Sequence, residues 1–428
     1  MRRTLWTAGL LAVVLVIALV AVGCGGGTTT TTAGPATTSG PATTAGPTTT
    51  GGSSTTATSA ASTEPIKIGF LVSLTGPSSA PGASIKKGFE FAIAAINAAG
   101  GINGRQIQVT TVDDKSDVSA SVAGMTQLIE QTGVAAVYGP FPQFCTEAAR
   151  AVSEKAGVPN LLDGPPTLAT LKVTTYKWSF LINTGPDGVG GAYLKMMQNG
   201  GYKNIVSVAD NLTTSQETSQ VVKAGLGSGV AFDLLPDTWG IEAQDVTPII
   251  NKLVAEVKKV KPDLIFINCN PIHFPVIAKA LRNQGITTQI MAAASCGHPA
   301  VFSAGPQVVE GVILPGTTVL GPSGLPDSYP GKQKLVDFGA AYQAKYKVPA
   351  DFFAGYGADA AWILAEGLKA GGDDKAKVRD AIEALQKFTT NSGLASFSPT
   401  DHVAYHGGYF EWKIVGGKFT LVSTTPLN

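Results

Sequence analysis

The sequence predicts an α/β protein built of two doubly wound lobes. Three observations predict it. Short apolar runs alternate with amphipathic stretches over most of the 428 residues. The runs are continuously apolar rather than alternating, as in parallel strands covered on both faces. The alternation also passes through two consecutive series, which is more than one sheet usually holds.

The first series starts at Glu64. "IKIGFLVSL" reads as a strand, "TGPSSAPGAS" as a turn-rich link, and the next stretch as a helix, because Ile85, Phe89, Ile93 and Ile96 recur every three or four residues. "RQIQVTTVDD", "VAAVYG" and "VPNLLDG" follow as strands, separated by helices over Val122–Ile129 and Thr146–Lys155. After "FLINTGPD" the second series begins. Its helices cover Gly191–Gln198, Glu217–Ala224, Val246–Lys259 and Pro275–Asn283, and its strands are "NIVSVAD", "VAFDLLP", "LIFINC", "QIMAAAS" and "GVILPG". Helices at Lys332–Lys345, Phe353–Ala370 and Ala376–Gln386 come next, then an antiparallel end, "GYFEWKIVGGKFTLV", whose Gly416-Gly417 marks a hairpin turn.

Two segments of another kind precede this body. Arg2 and Arg3, an apolar run from Leu10 to Val22 and a small-residue exit make residues 1–23 a secretory signal. Counted from Leu5 the run reaches about 18 residues, the lower limit for a membrane span, but no basic stop-transfer residue follows Gly23. A retained span and plain secretion are the alternatives. Gly25–Thr63 contains only Gly, Thr, Ser, Ala and Pro, so it cannot build a core. It is expected to be a disordered tether with a mean span of roughly 35 Å.

The net charge of +1 excludes the basic balance that nucleic-acid binding needs. Of the four cysteines, Cys24 ends the apolar leader. Cys269 and Cys296 each close a strand-like run, so they are read either as a disulfide or as two buried thiols.

In open parallel sheets, ligands bind beyond the C-terminal strand ends. Here those ends are Leu74–Gly82, Gly139–Thr146, Asp163–Thr167, Asp210–Ser215, Asn268–Phe274 and Ser295–Pro299. Hydroxyls and free N–H groups at helix starts suit a carboxylate, while ordinary capping explains any one loop taken alone. Candidate ligand contacts on these loops are Ser78, Ser79, Phe141, Gln143, Phe144, Asp163, Pro166, Asn270 and Ser295.

Catalytic signals are poor. Ser84 and Lys87 form an S-x-x-K without the partner motifs, and Ser84 is read as a cap of the first helix. His402 and His406 stand four apart beside strand-like residues, and no metal site is expected there. P-loop, G-x-G-x-x-G, H-E-x-x-H and nucleophile-elbow patterns are absent. No cofactor is expected.

The stretch "IKIGFLVSLTGPSSAPGASIKKGFEFAIAAINAAGGINGRQIQVTTVDDKSD", with "VAAVYGP", "GVPNLLDGPPT", "ALRNQG" and "GYGADAAWILAEGL", resembles the branched-chain amino acid binding proteins, the substrate-capturing subunits of ABC importers. That resemblance implies a type I periplasmic-binding fold: two Rossmann-like lobes, residues 64–186 with 315–396 and 187–314 with 397–428, closing by hinge motion around a small ligand. Three crossings are then expected, near Thr184–Gly188, Leu314–Thr317 and Ser396–Tyr405. Leu19–Cys24 resembles a lipobox, which would make Cys24 a lipidated first residue and hold a monomer at the outer face of the cell membrane, with a periplasmic location as the alternative, serving permease and ATPase subunits.

Carried over residue by residue, Cys145 and Thr146 fall where the family binds a ligand carboxylate. Thr167 matches its second hydroxyl and Asp210 its second-lobe acid. The family's first-loop aromatic is Pro81 here, with Phe141 and Phe144 as replacements, and its tyrosine is Thr214. Its glutamate for an α-ammonium aligns with Ala294 or Ser295, neither a counter-ion, and its first-lobe disulfide partner is Ser116. A small organic acid or amide, aromatic included, is therefore expected, with a branched-chain amino acid as the alternative. Asp163 or Asp210 would have to replace the missing glutamate. A sensing module of the same fold is a second reading, against which the absence of a further domain counts. An enzyme using Ser84 and Lys87 is a third.

Overall fold

The computed structural model describes residues 62–171 and 175–427. The leader, Cys24 and most of the tether lie outside the described residues. One compact unit covers the described chain.

The first sheet holds β1 (Ile66–Val72), β2 (Ile107–Asp113), β3 (Ala136–Tyr138), β4 (Asn160–Leu162) and β5 (Ser179–Leu181), all parallel, in the order β2-β1-β3-β4-β5. Helices α1 (Ser79–Ala98), α2 (Val118–Thr126) and α3 (Gln143–Ala156) return the chain between strands, and α2 runs on into a π-helical turn. On α1, Ile85, Phe89, Ile93 and Ile96 are all buried, so the stripe faces the core. Phe70 of β1 stacks on Tyr138 of β3 at 5.3 Å and meets Phe89 at 4.6 Å.

Helix α1 starts five residues before Ser84, so Ser84 is not its cap. Gly76 takes the left-handed turn that reverses the chain (φ +81°), and Pro81 fits the first helical turn, where its missing N–H would have had no partner. The short strand β5 lies inside the stretch that the apolar pattern marks only as a break.

The second sheet follows α4 (Pro186–Asn199). It comprises β6 (Asn204–Ala209), β7 (Ala231–Leu234), β8 (Leu264–Asn268), β9 (Gln289–Ala292) and β10 (Ile313–Gly316), with helices α5 (Thr213–Gly225), α6 (Thr247–Val260) and α7 (Phe274–Asn283) between strands. Helices α8 (Lys332–Tyr346), α9 (Phe352–Gly371) and α10 (Lys375–Glu383) come next, then a short hairpin of β11 (Phe388–Thr389) and β12 (Leu394–Ala395). Asp351 and Asp374 cap α9 and α10 by accepting backbone N–H bonds. Helix α9 is buried along most of its length against α1.

Strands β13 (Phe410–Val415) and β14 (Lys418–Leu421) then join the second sheet, antiparallel to β10 and to each other, in the order β14-β13-β10-β9-β8-β6-β7. Both Gly416 and Gly417 have positive φ, as a two-residue hairpin loop requires. Before that, Val403 bridges Leu181 of β5, and Leu181 donates to His402 O. The last passage between the sheets therefore falls between Tyr405 and Phe410, slightly later than the sequence places it.

Candidate functional site

Both sheets point their C-terminal strand ends at one cavity of about 160 Å³. From the first sheet come Ser78, Phe141–Phe144, Pro165, Asn183 and Thr184; from the second, Thr214, Ser215, Thr218, Asn268–Pro271 and Ala293–Ser295. Phe352, Phe353 and Tyr409 complete the wall. The volume is close to the roughly 150 Å³ of an apolar cavity that holds benzene.

A hollow of 1280 Å³ also opens near the passages between the sheets, beside α10. Most of its charged groups pair with one another, Arg379 with Asp380 and Glu383 and His406 with Asp401. The smaller cavity is the candidate site.

Its polar groups are uncharged, since Asp, Glu, Lys, Arg and His are missing from the described residues that line it. Tyr193 Oη accepts the Ala294 N–H at 2.8 Å, leaving its own proton to donate. Thr184 Oγ1 donates to Tyr409 Oη at 2.9 Å. Gln143 Oε1 accepts the Thr214 N–H at 2.9 Å across the cleft, and its Nε2 is enclosed with no partner among the described residues. Phe141 packs edge-on against Phe353 at 5.3 Å and, with Phe352, Val189, Leu212 and Ile241, makes the apolar side. The cavity thus combines hydrogen-bond donors with a hydrocarbon wall.

Of the residues singled out in the sequence, Ser78, Phe141, Gln143, Phe144, Thr214, Asn270 and Ser295 line this cavity. Ser79, Cys145, Thr146, Asp163, Pro166, Thr167 and Asp210 do not. Thr146 is buried and donates inside its own lobe, to Pro142 O and Gly164 O. Cys145 is buried beside it, and burial pushes its thiol up to about 12. Thr167 bonds Thr170, and Pro166 borders a small crevice beside Arg150. Asp210 is buried and accepts the N–H groups of Asn270 and Leu212; burial raises its pKa. Asp163 meets Tyr138 Oη behind the wall. Neither acid can therefore stand in for the missing counter-ion. Asn183 and Thr184 went unseen because β5 was not recognised, and Tyr193 and Tyr409 because neither the interior of α4 nor the passage before β13 carries a local sign of a cavity.

Cys269 and Cys296 are free, buried thiols and not a disulfide. Although β8 and β9 are neighbours, Cys296 sits in the turn after β9, and the Cys269 sulfur turns to its own loop at Asn270 O, 3.4 Å away. Burial raises both thiols, which disfavours the reactive thiolate. Alkylation with iodoacetamide under native conditions is expected to leave Cys145, Cys269 and Cys296 unmodified for hours at pH 8, and to label all three after unfolding in guanidinium. Mass spectrometry of the intact protein reads the difference.

Ser84 does belong to a serine, histidine and aspartate cluster. Its Oγ donates to Asp351 Oδ2 at 2.8 Å and lies 3.4 Å from His298 Nε2. His298 Nδ1 accepts the Ala300 N–H, so the neutral ring carries its proton on Nε2 and cannot take one from Ser84. The cluster ties α1 and the α9 cap to the turn after β9. His402 and His406 do not converge either: one bonds Glu383, the other Asp401.

A family model described as periplasmic binding protein matches residues 65–412. The chain belongs to the periplasmic binding protein family. Membership makes it a binding protein and not an enzyme. Relatives of this periplasmic binding protein include the Leu/Ile/Val-binding protein of Escherichia coli K12, 25% identical over 362 residues that span 84% of this chain and 94% of the relative. The Leu-, Ile-, Val-, Thr- and Ala-binding protein of Pseudomonas aeruginosa is 24% identical, over 82% and 91%. Among solved structures, the branched-chain amino acid transporter substrate-binding protein LivJ of Streptococcus pneumoniae, in complex with isoleucine, has a TM-score of 0.73 at 24% identity, covering 83% of this chain and 97% of LivJ. An extracellular ligand-binding receptor of Rhodopseudomonas palustris scores 0.74 at 21% identity, over 83% and 99%. These likenesses establish the type I periplasmic-binding fold.

Proposed function

We propose that this periplasmic binding protein is the extracytoplasmic solute-binding lipoprotein of an ABC importer. It captures a small carboxylate or amide between its two lobes, the first built on β1–β5 and the second on β6–β10 with β13 and β14, and delivers it to a permease driven by an ATPase. Cys24 would carry the lipid, and the tether would hold the body off the membrane. Hinge closure about the crossings is the motion such a body uses.

One observation carries the ligand class: the cavity has no charged side chain among its described lining residues. Burying an α-ammonium there without a carboxylate costs several kcal/mol. An acceptor head with an apolar body matches the donors and the aromatic wall. The relatives named for leucine, isoleucine and valine favour a second reading, a branched-chain amino acid binding protein proper.

Calorimetric titration separates the two. 4-Methylpentanoate, which is leucine without its ammonium, its amide, benzoate and benzamide form one set; leucine, isoleucine and valine form the other. At least one member of the first set is expected to bind tenfold or more tightly than any of the second. Micromolar binding of leucine would overturn the assignment.

A further inference from the structure

Gln143 opens α3 on the first lobe, and its carboxamide reaches across the cleft. Oε1 accepts the N–H of Thr214, 2.9 Å away in the first turn of α5 on the second lobe. Nε2 is enclosed, borders the cavity and has no hydrogen-bond partner among the described residues. The two ends of the amide are not interchangeable. A backbone N–H can only donate, so oxygen has to face Thr214 and the NH2 group has to face away from it.

We infer that Gln143 couples occupancy of the cavity to closure of the lobes: Oε1 holds Thr214 of the second lobe while Nε2 donates to an acceptor oxygen of the ligand. The inference rests on the reading of the cavity as the ligand site. In the closed arrangement an empty cavity leaves Nε2 buried and unpaired, which is costly, and opening the cleft lets water reach it. A bound carboxylate or amide oxygen satisfies Nε2 without opening. The ligand therefore interacts more favourably with the closed state than with the open one, and a differential interaction of that kind is what shifts a two-state equilibrium. The same NH2 group would meet an ammonium donor to donor, so a ligand turns an oxygen and not an ammonium toward Gln143.

Two substitutions separate the roles. Gln143→Glu keeps an acceptor for Thr214 and replaces the ligand-facing donor by a second acceptor. Thr214→Pro removes the N–H at a position where the first helical turn tolerates proline, and leaves Nε2 in place. Affinity for 4-methylpentanoate, 4-methylpentanamide, benzoate and benzamide is measured by calorimetry, and closure by the radius of gyration from X-ray scattering. Wild type is expected to bind at least one probe and to contract. Gln143→Glu should lose about 100-fold in affinity for a carboxylate probe. Thr214→Pro should contract less than wild type on saturation with a probe. Wild-type affinity in Gln143→Glu, or full contraction in Thr214→Pro, would overturn the coupling. Should either variant fail to fold, exchange of the Thr214 amide in wild type decides: protection should rise tenfold or more with a bound probe, and an unchanged rate overturns the coupling. If wild type binds no probe, the reading of the cavity falls and the coupling with it, while slow Thr214 exchange that is lost in Gln143→Ala would still establish the contact between lobes.

Discussion

Replacing Gly357 by valine is expected to destabilise the protein by about 3–5 kcal/mol, a large share of the 5–15 kcal/mol that holds a typical domain folded. Helices α1 and α9 approach through reciprocal glycines. A Cβ placed on Gly357 would lie 2.1 Å from Ile85 O, and one on Gly88 would lie 1.9 Å from Ala354 O. Both obstacles are main-chain oxygens of the facing helix, so no side chain can rotate out of the way. Valine has to drive the helices apart, and the buried stripe of α1 loses its contact with α9 as they separate. Gly191→Ala on α4 is the control: nothing lies within 4 Å of its Cβ position, and the change is expected to be neutral or to stabilise by up to about 1 kcal/mol. Urea denaturation of the two variants measures both. A Gly357→Val midpoint equal to that of wild type would show that the helices are not packed through their backbones.

That contact illustrates what was readable in the chain. The apolar runs fix where most strands fall, and the stripe on α1 fixes which face is buried, because burial of periodic side chains is a local property of the sequence. The close approach of Gly88 and Gly357 depends on two segments more than 250 residues apart and leaves no local sign. Strand β5 escaped for a related reason: three residues are too few for periodicity, and its pairing with β4 and Val403 defines it.

The site divides in the same way. Strand-end loops are legible, because every parallel strand must hand its chain to a helix at the same edge. Which side chain on a loop turns into the cleft is decided by where the next helix begins. Helix α3 starts at Gln143, so Gln143 and Phe144 reach the cavity while Cys145 and Thr146 are already turned into the lobe. The acids followed burial: Asp210 takes the N–H groups of its own and a neighbouring loop, a use that its position at a strand end cannot distinguish from ligand binding.

Asp163 gives the second large effect, and it links the fold to the cavity wall. It is buried, its Oδ1 has no hydrogen-bond partner among the described residues, and burial pushes its pKa up to about 7, against the opposing hydrogen bonds from Tyr138 and Asn183. The folded state therefore holds a proton that the unfolded chain releases near pH 3.9. The resulting stability is fully present below about pH 4 and is lost as the pH rises through 7. The difference amounts to about 4 kcal/mol, on the order of three pH units at 1.36 kcal/mol each. Asp359, raised to about 6 chiefly by burial, acts in the same direction. His298, lowered mainly by burial, acts in the opposite direction and takes effect as the pH falls through 6.5. The comparison of wild type with Asp163→Asn isolates the one group. Denaturant titrations at pH 8, 7, 6 and 5 are expected to show wild type gaining on the variant as the pH falls, because asparagine keeps the acceptor for Tyr138 Oη and has no proton to bind. A gap between the two that stays constant with pH would place the Asp163 pKa outside this window. Asn183 lines the cavity and donates to Asp163 O, so ionisation of this carboxyl is felt one residue from the ligand. Probe affinity measured across the same pH values should then change between pH 6 and 8 in wild type and stay level in Asp163→Asn.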